Sequence, residues 1–209
     1  MNKQTGLSLI ELMIAVMISC ILILGVTQIF GNTTQTDKTN SAIARVQESG
    51  RVALEVLGED IRRAGYQGCS SAANTTVVGT VTFPGQAIAS SNKSITLRFA
   101  TTDNTGTAFA NRKTCDNGSL YLKSVVYNQC DNGTSLCKDG DAILDHAVID
   151  SIAFGVLVNS KTKWVDSSTV TEAQLASANS VRVSLTISDT INKVTRTFSN
   201  TYELRNRLL

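Results

Sequence analysis

The chain has 209 residues, with 19 Lys and Arg side chains against 17 Asp and Glu, which gives a formal net charge of +2. A charge so close to balance offers no basic face, so we do not expect direct nucleic-acid binding. The length suits one globular domain together with one long helix.

The chain begins with a polar leader that is followed by an apolar run. Residues 1–6 end in Gly6, and beyond Glu11 no residue at positions 12–36 carries a charge. A helix over residues 7–31 would be about 37 Å long, which is enough to cross a hydrocarbon core of ~30 Å. A lone carboxylate within such a helix costs on the order of 2.5–3.5 kcal/mol at mid-depth. Glu11 is therefore a candidate functional residue that needs a partner.

A second helical segment follows the apolar run. Apolar residues recur there at steps of three and four, and charged side chains occupy the opposite face. The apolar stripe consists of Ile43, Val46, Gly50, Ala53, Leu54, Leu57, Ile61 and Ala64, and the charged face of Arg45, Glu48, Arg51, Glu55, Glu59 and Arg62. Gly65 suits the left-handed cap that ends a helix. We therefore predict one helix over residues 7–64, apolar all round in its first half and amphipathic in its second.

The remainder of the chain has the composition of β-strands. Val, Ile, Thr and Phe are frequent and partly alternate, and clusters of Asn, Asp, Gly and Ser separate the segments. Strands are predicted over residues 75–81, 94–100, 120–127, 148–158, 181–187 and 193–204, and turn clusters over residues 70–74, 101–117 and 131–141. The last two strands form a hairpin with Val181, Val183, Leu185 and Ile187 on one face. The predicted fold class is α+β, with antiparallel strands that cover the amphipathic half of the helix.

Cysteine usage indicates the compartment of the globular part. Cys20 lies in the apolar run, where it is expected to be an inert small side chain. The other four cysteines are an even number that suits two disulfides, and disulfides persist in an oxidising compartment. Three pairings are possible from the sequence, and we prefer Cys69–Cys115 with Cys130–Cys137 because the first bond then pins the helix end to the sheet. Lys3 in the leader predicts a cytoplasmic amino terminus by the positive-inside rule. This agrees with a globular part on the opposite, oxidising side of the membrane.

Motifs for catalysis and metal binding are weak. His146 is the only histidine, and neither a nucleophile elbow nor a phosphate-binding glycine loop accompanies it. A zinc site has little support without a Cys-x-x-Cys pair. Residues 130–141 hold enough acidic and amide oxygens for calcium but lack the spacing of an EF-hand, so a disulfide-closed loop is preferred. We expect no enzymatic activity, no cofactor and no metal site.

The leader and the start of the helix together resemble the class III signal of type IV pilins and pseudopilins. The resemblance rests on Gly6, which ends a short leader, and on Glu11, five residues beyond it. It implies that a prepilin peptidase cuts after Gly6 and methylates the new amino terminus at Leu7. It also implies that the Glu11 carboxylate pairs with the terminal amine of a neighbouring subunit. A plain signal anchor with a glutamate near its end is the alternative interpretation.

Two further stretches resemble PilW-type minor pilins of the type IV pilus. Residues 50–69 read GRVALEVLGEDIRRAGYQGC and residues 196–207 read RTFSNTYELRNR, whereas residues 70–180 carry no such likeness. The resemblance implies a pilin-like fold and a structural subunit that helps to start the pilus and is incorporated near its tip. The implied partners are other minor pilins, the major pilin, a tip adhesin and the prepilin peptidase.

The resemblance also implies an organisation and a location. It divides the chain into a cleaved leader, a membrane and assembly half of the helix, an amphipathic half and a β-rich periplasmic domain, over residues 1–6, 7–31, 32–65 and 66–209. The chain would be a single-pass inner-membrane protein before assembly and part of an extracellular pilus afterwards. Two alternatives stay open: a J-type minor pseudopilin of type II secretion, and a membrane-anchored periplasmic enzyme or metal-binding domain.

Overall fold

The structure, a computed structural model, describes residues 8–69, 75–159 and 161–207. The chain divides into two compact units, residues 1–44 and 45–209. One helix, α1 (Leu9–Arg63), contributes to both units and confirms the long helix predicted from the sequence. The helix ends in Arg62 and Arg63, whose cations are favourable at a helix carboxyl end, and Gly65 follows with a φ of +81°.

Strands and one short helix make up the rest of the described chain. The strands are β1 (Thr76–Val78), β2 (Val81–Phe83), β3 (Ile88–Ser90), β4 (Ile95–Thr101), β5 (Ala108–Lys113), β6 (Ser119–Cys130), β7 (Ser135–Lys138), β8 (Asp141–Leu144), β9 (Ala147–Val158), β10 (Lys161–Asp166), β11 (Ala178–Asp189) and β12 (Val194–Glu203). The short helix, α2 (Glu172–Ser177), begins with a capping box in which Thr171 and Gln174 satisfy each other's backbone N–H groups.

The strands form one small sheet and two larger ones, and every pairing is antiparallel. β1 and β2 pair alone. A four-stranded sheet has the order β10-β9-β11-β12, and a six-stranded sheet has the order β3-β4-β6-β7-β8 with β5 added against β6. The predicted α+β class, a long helix with antiparallel sheets, is therefore confirmed.

Five of the six predicted strands are present, most of them extended at one or both ends, but the strand predicted over residues 75–81 is wrong. A turn at Gly79 and Thr80 splits that segment, and Gly79 has a φ of +60°, which extended backbone does not allow. The halves become β1 and the start of β2, which fold back on each other. The turn clusters predicted over residues 101–117 and 131–141 contain strands, because β5 and β7 both pair with β6. The cluster at residues 70–74 lies outside the described residues.

The predicted β11–β12 hairpin is confirmed, with residues 190–193 as its connection. Val181, Val183, Leu185 and Ile187 are all buried on one face of β11. The opposite face carries hydroxyl groups, including a cross-strand contact of 2.7 Å between the Thr186 and Thr197 Oγ1 atoms. This alternation is the pattern of a sheet with one buried and one exposed face.

Strand β12 runs beside the second half of α1 and contacts it at two glycines. A Cβ atom at Gly50 would lie 2.5 Å from the Phe198 ring, and one at Gly58 would clash with the Tyr202 ring. Eight helical residues span about 12 Å and four strand residues about 13 Å, so the two spacings match. The buried Tyr202 hydroxyl also donates a 2.6 Å hydrogen bond to the Leu54 carbonyl.

The end of α1 is held by a buried carboxylate and by the carboxyl-terminal tail. Asp60 is 5% exposed, and its Oδ2 atom accepts hydrogen bonds from Tyr127 Oη at 2.7 Å and from Lys138 Nζ at 2.8 Å. These partners belong to β6 and β7, so the cluster ties the helix to the six-stranded sheet. The Asn206 side-chain amide donates to the Ala64 carbonyl at 3.3 Å. The last carbonyls of a helix lack intrahelical partners, and this amide supplies one.

Candidate assembly site

The candidate site begins at the first turn of α1. The Ser8 carbonyl accepts the backbone N–H groups of Glu11 at 3.0 Å and of Leu12 at 3.2 Å, so Ser8 starts the helix. Glu11 lies in this turn, where its negative charge is stabilised by the positive end of the helix dipole. Gly6 and Leu7, the predicted processing residues, lie outside the described residues.

The surface around Glu11 is apolar and exposed. From Leu9, which is 77% exposed, to Phe30, which is 75% exposed, the large aliphatic side chains on every side of the helix are exposed. This stretch is about 32 Å long at 1.5 Å per residue. The described part of the chain has one helix that is long and apolar enough to cross a membrane, and this is that helix. Its surface is one that a bilayer or other protein chains must cover.

Glu11 is the only charged residue within this apolar stretch. Among the described residues, no side-chain hydrogen bond or ion pair reaches its carboxylate. A carboxylate among apolar side chains requires a cation or hydrogen-bond donors. The chemistry that the site can perform is therefore recognition of a positive group supplied from outside the described chain.

The structure joins the cysteines in the pairs preferred from the sequence. The Cα atoms are 4.9 Å apart in the Cys69–Cys115 disulfide and 5.9 Å apart in the Cys130–Cys137 disulfide, both within the usual range. Cys69 lies six residues after the end of α1, and its N–H donates to the carbonyl of Lys113, two residues before Cys115. Cys20 is unpaired and exposed on the apolar half of α1.

The residues considered for other chemistry lie apart from this site. His146 occupies an exposed turn between β8 and β9 with a φ of +54°. Cys130, Asp131 and Cys137 place potential ligand atoms within 4.8 Å of one another, but both sulfurs are in a disulfide. The acidic residues of the predicted turn cluster lie at opposite ends of β7, and Asp139 Oδ1 accepts the Val126 N–H at 2.7 Å. They do not form one calcium loop.

Sequence reasoning missed the cluster around Asp60, although its signal was present. Asp60 lies on the apolar face of α1 between Leu57 and Ile61, where an acid needs a buried partner. Burial, and then the hydrogen bond to Asp60, raise the pKa of the Tyr127 hydroxyl above its usual range. Nothing in the local sequence of β6 or β7 identified Tyr127 and Lys138 as the partners.

Comparison with known families gives a match at this same site. The family model of the prokaryotic N-terminal methylation motif matches residues 1–27. This is the class III signal, and it supports a type IV pilin-like protein that a prepilin peptidase processes, with a role in pilus or secretion assembly. The apolar helix and this motif fit membrane anchoring before assembly. No curated protein and no solved structure matches the chain.

Proposed function

We propose that the chain is a PilW-type minor pilin, a non-catalytic structural subunit that helps to start a type IV pilus and is incorporated in it near the tip. The observation that carries the proposal is a lone carboxylate, Glu11, in an exposed apolar helix that bears the methylation motif. The proposal assigns no reaction and no cofactor to the chain. Its partners are other minor pilins, the major pilin and a tip adhesin.

The proposed mechanism places the charge of Glu11 opposite a new amine. Cleavage after Gly6 leaves a positive amine on Leu7, and methylation preserves its charge. Among packed apolar helices, the carboxylate of one subunit and the amine of a neighbour compensate each other, whereas either group alone would be costly. This pair fixes the axial register between subunits as the helices leave the inner membrane and the globular domains leave the periplasm.

The two stretches that resemble PilW-type minor pilins support the finer assignment, because they contact each other. Residues 196–207 supply Phe198, Tyr202 and Asn206, and these pack on Gly50, Gly58 and the carbonyl end of α1. The resemblance therefore covers two elements, α1 and β12, that pack against each other.

The test combines a processing variant and a charge variant in a deletion strain. Mass spectrometry of the wild-type membrane form should give a chain that begins at N-methylated Leu7, and Gly6→Val should leave the leader attached. Glu11→Gln should still be inserted and cleaved, but the subunit should be depleted from sheared pili and piliation should fall. Glu55→Gln, an exposed acid in the second half of α1, is the matched control.

An intact Met1 in cells that contain the peptidase would refute the pilin-like function. Normal incorporation of the Glu11→Gln chain would refute the proposed charge pair alone. A processed wild-type chain that is absent from pili and required for protein export would favour the secretion pseudopilin instead.

A further inference from the structure

Three of the exposed aliphatic side chains described in residues 45–209 line one groove, whereas Val77, Leu157 and Val158 lie outside it. Val52 and Val56 of α1 are 43% and 38% exposed, and Ile143 of β8 is 41% exposed. With Leu144 they line a groove of about 370 Å³ between the helix and the strand. An adjoining groove of about 270 Å³ shares Leu144 and extends to Ile191, which is 88% exposed in the β11–β12 connection.

The strand that lines this groove is at the edge of its sheet. β8 is the outermost strand of the six-stranded sheet and pairs with β7 on one side. Within the described ranges, no strand pairs with its other side. An edge strand offers backbone donors and acceptors to another extended chain. An apolar groove and an open strand edge therefore lie side by side.

The two ends of β8 carry acidic groups, of which Asp145 lines the adjoining groove. Asp141 begins β8 and Asp145 follows it, and neither makes an ion pair with any described residue. The Arg45 guanidinium at the far end is engaged by Asp189 at 3.1 Å, and Glu48 is engaged by Arg51 at 2.7 Å. The uncompensated charge beside β8 is thus negative.

We propose that this groove binds an extended segment of another subunit of the same assembly, which pairs with the open edge of β8. The segment places an aliphatic side chain against Val52, Val56 and Ile143 and carries Lys or Arg opposite Asp141 and Asp145. The inference rests on the proposed function for the existence of partner subunits. A helix would fill the apolar groove but would leave the backbone groups of β8 unpaired, so the open edge favours a strand.

The first experiment maps the contact in cells. A photo-cross-linking amino acid replaces Ile143 in the full chain, and the matched control position is Val77, which is 65% exposed on β1. Cross-links to another pilin-like subunit should form from position 143 and not from position 77. Equal cross-linking from both positions, or none from position 143 in a chain that is incorporated in pili, would overturn the inference.

The second experiment tests the side-chain and charge parts of the inference. Ile143→Asp should reduce incorporation into sheared pili by about tenfold or more, since a carboxylate would enter an apolar contact. Asp141→Lys with Asp145→Lys should reduce it by a smaller factor, and Val77→Asp should not change it. Unfolding of each variant in detergent shows that the domain is intact. Wild-type incorporation of Ile143→Asp would refute the groove as a contact while leaving the proposed function standing.

The third experiment distinguishes a strand from a helix. Hydrogen–deuterium exchange compares the cross-linked, tag-purified complex with the full chain purified from cells that express no other pilin-like protein. Slower exchange of the β8 amides in the complex is the expected result. A cross-link at position 143 with unchanged β8 exchange would mean that a helix or a side-chain surface occupies the groove, and would overturn the strand pairing. Absence of the wild-type chain from every assembly would instead refute the proposed function itself.

Discussion

The two halves of α1 share one backbone conformation but have opposite surroundings. Every described side chain up to Lys38 is exposed, whereas Ala53, Leu54, Leu57 and Ile61 are buried in the second half. The first half is apolar all round, and the second has one apolar face. The difference indicates where the partners lie: the second half has partners within its own unit, whereas the first half has none among the described residues.

Glycines sharpen this comparison, because the same residue type has different surroundings in each half. A Cβ atom at Gly25 or Gly31 would meet nothing within 4 Å, while Gly50 and Gly58 are in contact with aromatic rings. In the second half, glycine makes room for a neighbouring strand. In the first half, no described residue lies against either glycine.

The largest expected effect follows from loss of the disulfide next to the helix end. Replacing Cys69 and Cys115 together by Ser opens a loop with a sequence separation of 46. The loop-closure model gives a loss of about 4 kcal/mol in the free energy of unfolding. Denaturant unfolding of the full chain in detergent measures it, and Cys20→Ser in the first half should change nothing. Thiol labelling of the denatured, unreduced wild type should find only Cys20, and labelling of all five cysteines would contradict both disulfides.

The next effect comes from the buried carboxylate that ties the second half to the six-stranded sheet. Asp60→Ala leaves the Tyr127 hydroxyl without its acceptor and the Lys138 ammonium without its partner. Because the Lys138 side chain is 31% exposed, we expect a loss of about 2–3 kcal/mol rather than the full value for a buried pair. Glu59→Ala, one position earlier on the exposed face, is the control and should change stability by less than about 0.5 kcal/mol. Equal losses for both variants would show that the cluster adds nothing.

The sequence predicts both halves of α1, but it predicts less of the contacts that the second half and the sheets make with each other. Helix period, cap and hairpin are local signals, so α1, Gly65 and the β11–β12 pair could be predicted from residues close in sequence. Strands such as β7, which has only four residues, form because β6 offers a partner, and that information is not local. Glu11 could be identified from the sequence because it is the only charge in an apolar run. The groove beside β8 depends on residues about 90 positions apart, Val52 and Ile143, and no local pattern joins them.

A smaller effect is expected from filling the space beside Tyr202. Gly58→Leu would force the ring away from the helix and disturb its 2.6 Å hydrogen bond to Leu54. Overpacking of this kind costs about 1–3 kcal/mol, partly offset by up to about 1 kcal/mol from the better helix propensity. Gly31→Leu makes the same change where the surroundings are open, and should not lower the unfolding free energy of residues 45–209. A similar effect of both variants would mean that contact with the Tyr202 ring does not restrict the residue at position 58.

The smallest effect concerns how stability changes at alkaline pH through Tyr127, the buried tyrosine that donates to Asp60. Burial first, and the hydrogen bond to Asp60 second, raise the pKa of Tyr127 above that of a tyrosine in the unfolded chain, which is about 10. The folded chain therefore holds the phenol proton at a pH where the unfolded chain has released it. This contribution is fully present below about pH 10 and is lost as the pH rises further.

Tyr127→Phe removes this ionisable proton. The free energy of unfolding should therefore fall less steeply with rising pH than it does in the wild type. Above pH 10 the wild type should lose up to about 1.4 kcal/mol per pH unit through this one group, and the difference in slope between the two chains isolates it. Denaturant unfolding in detergent at several values from pH 8 to about pH 11 gives the slopes. Tyr66→Phe, at a tyrosine that is 37% exposed, is the control for loss of a phenol hydroxyl elsewhere in the domain. Identical slopes for wild type and Tyr127→Phe would show that the Tyr127 hydroxyl does not stay protonated in the folded chain, and that the Asp60 cluster is open to water.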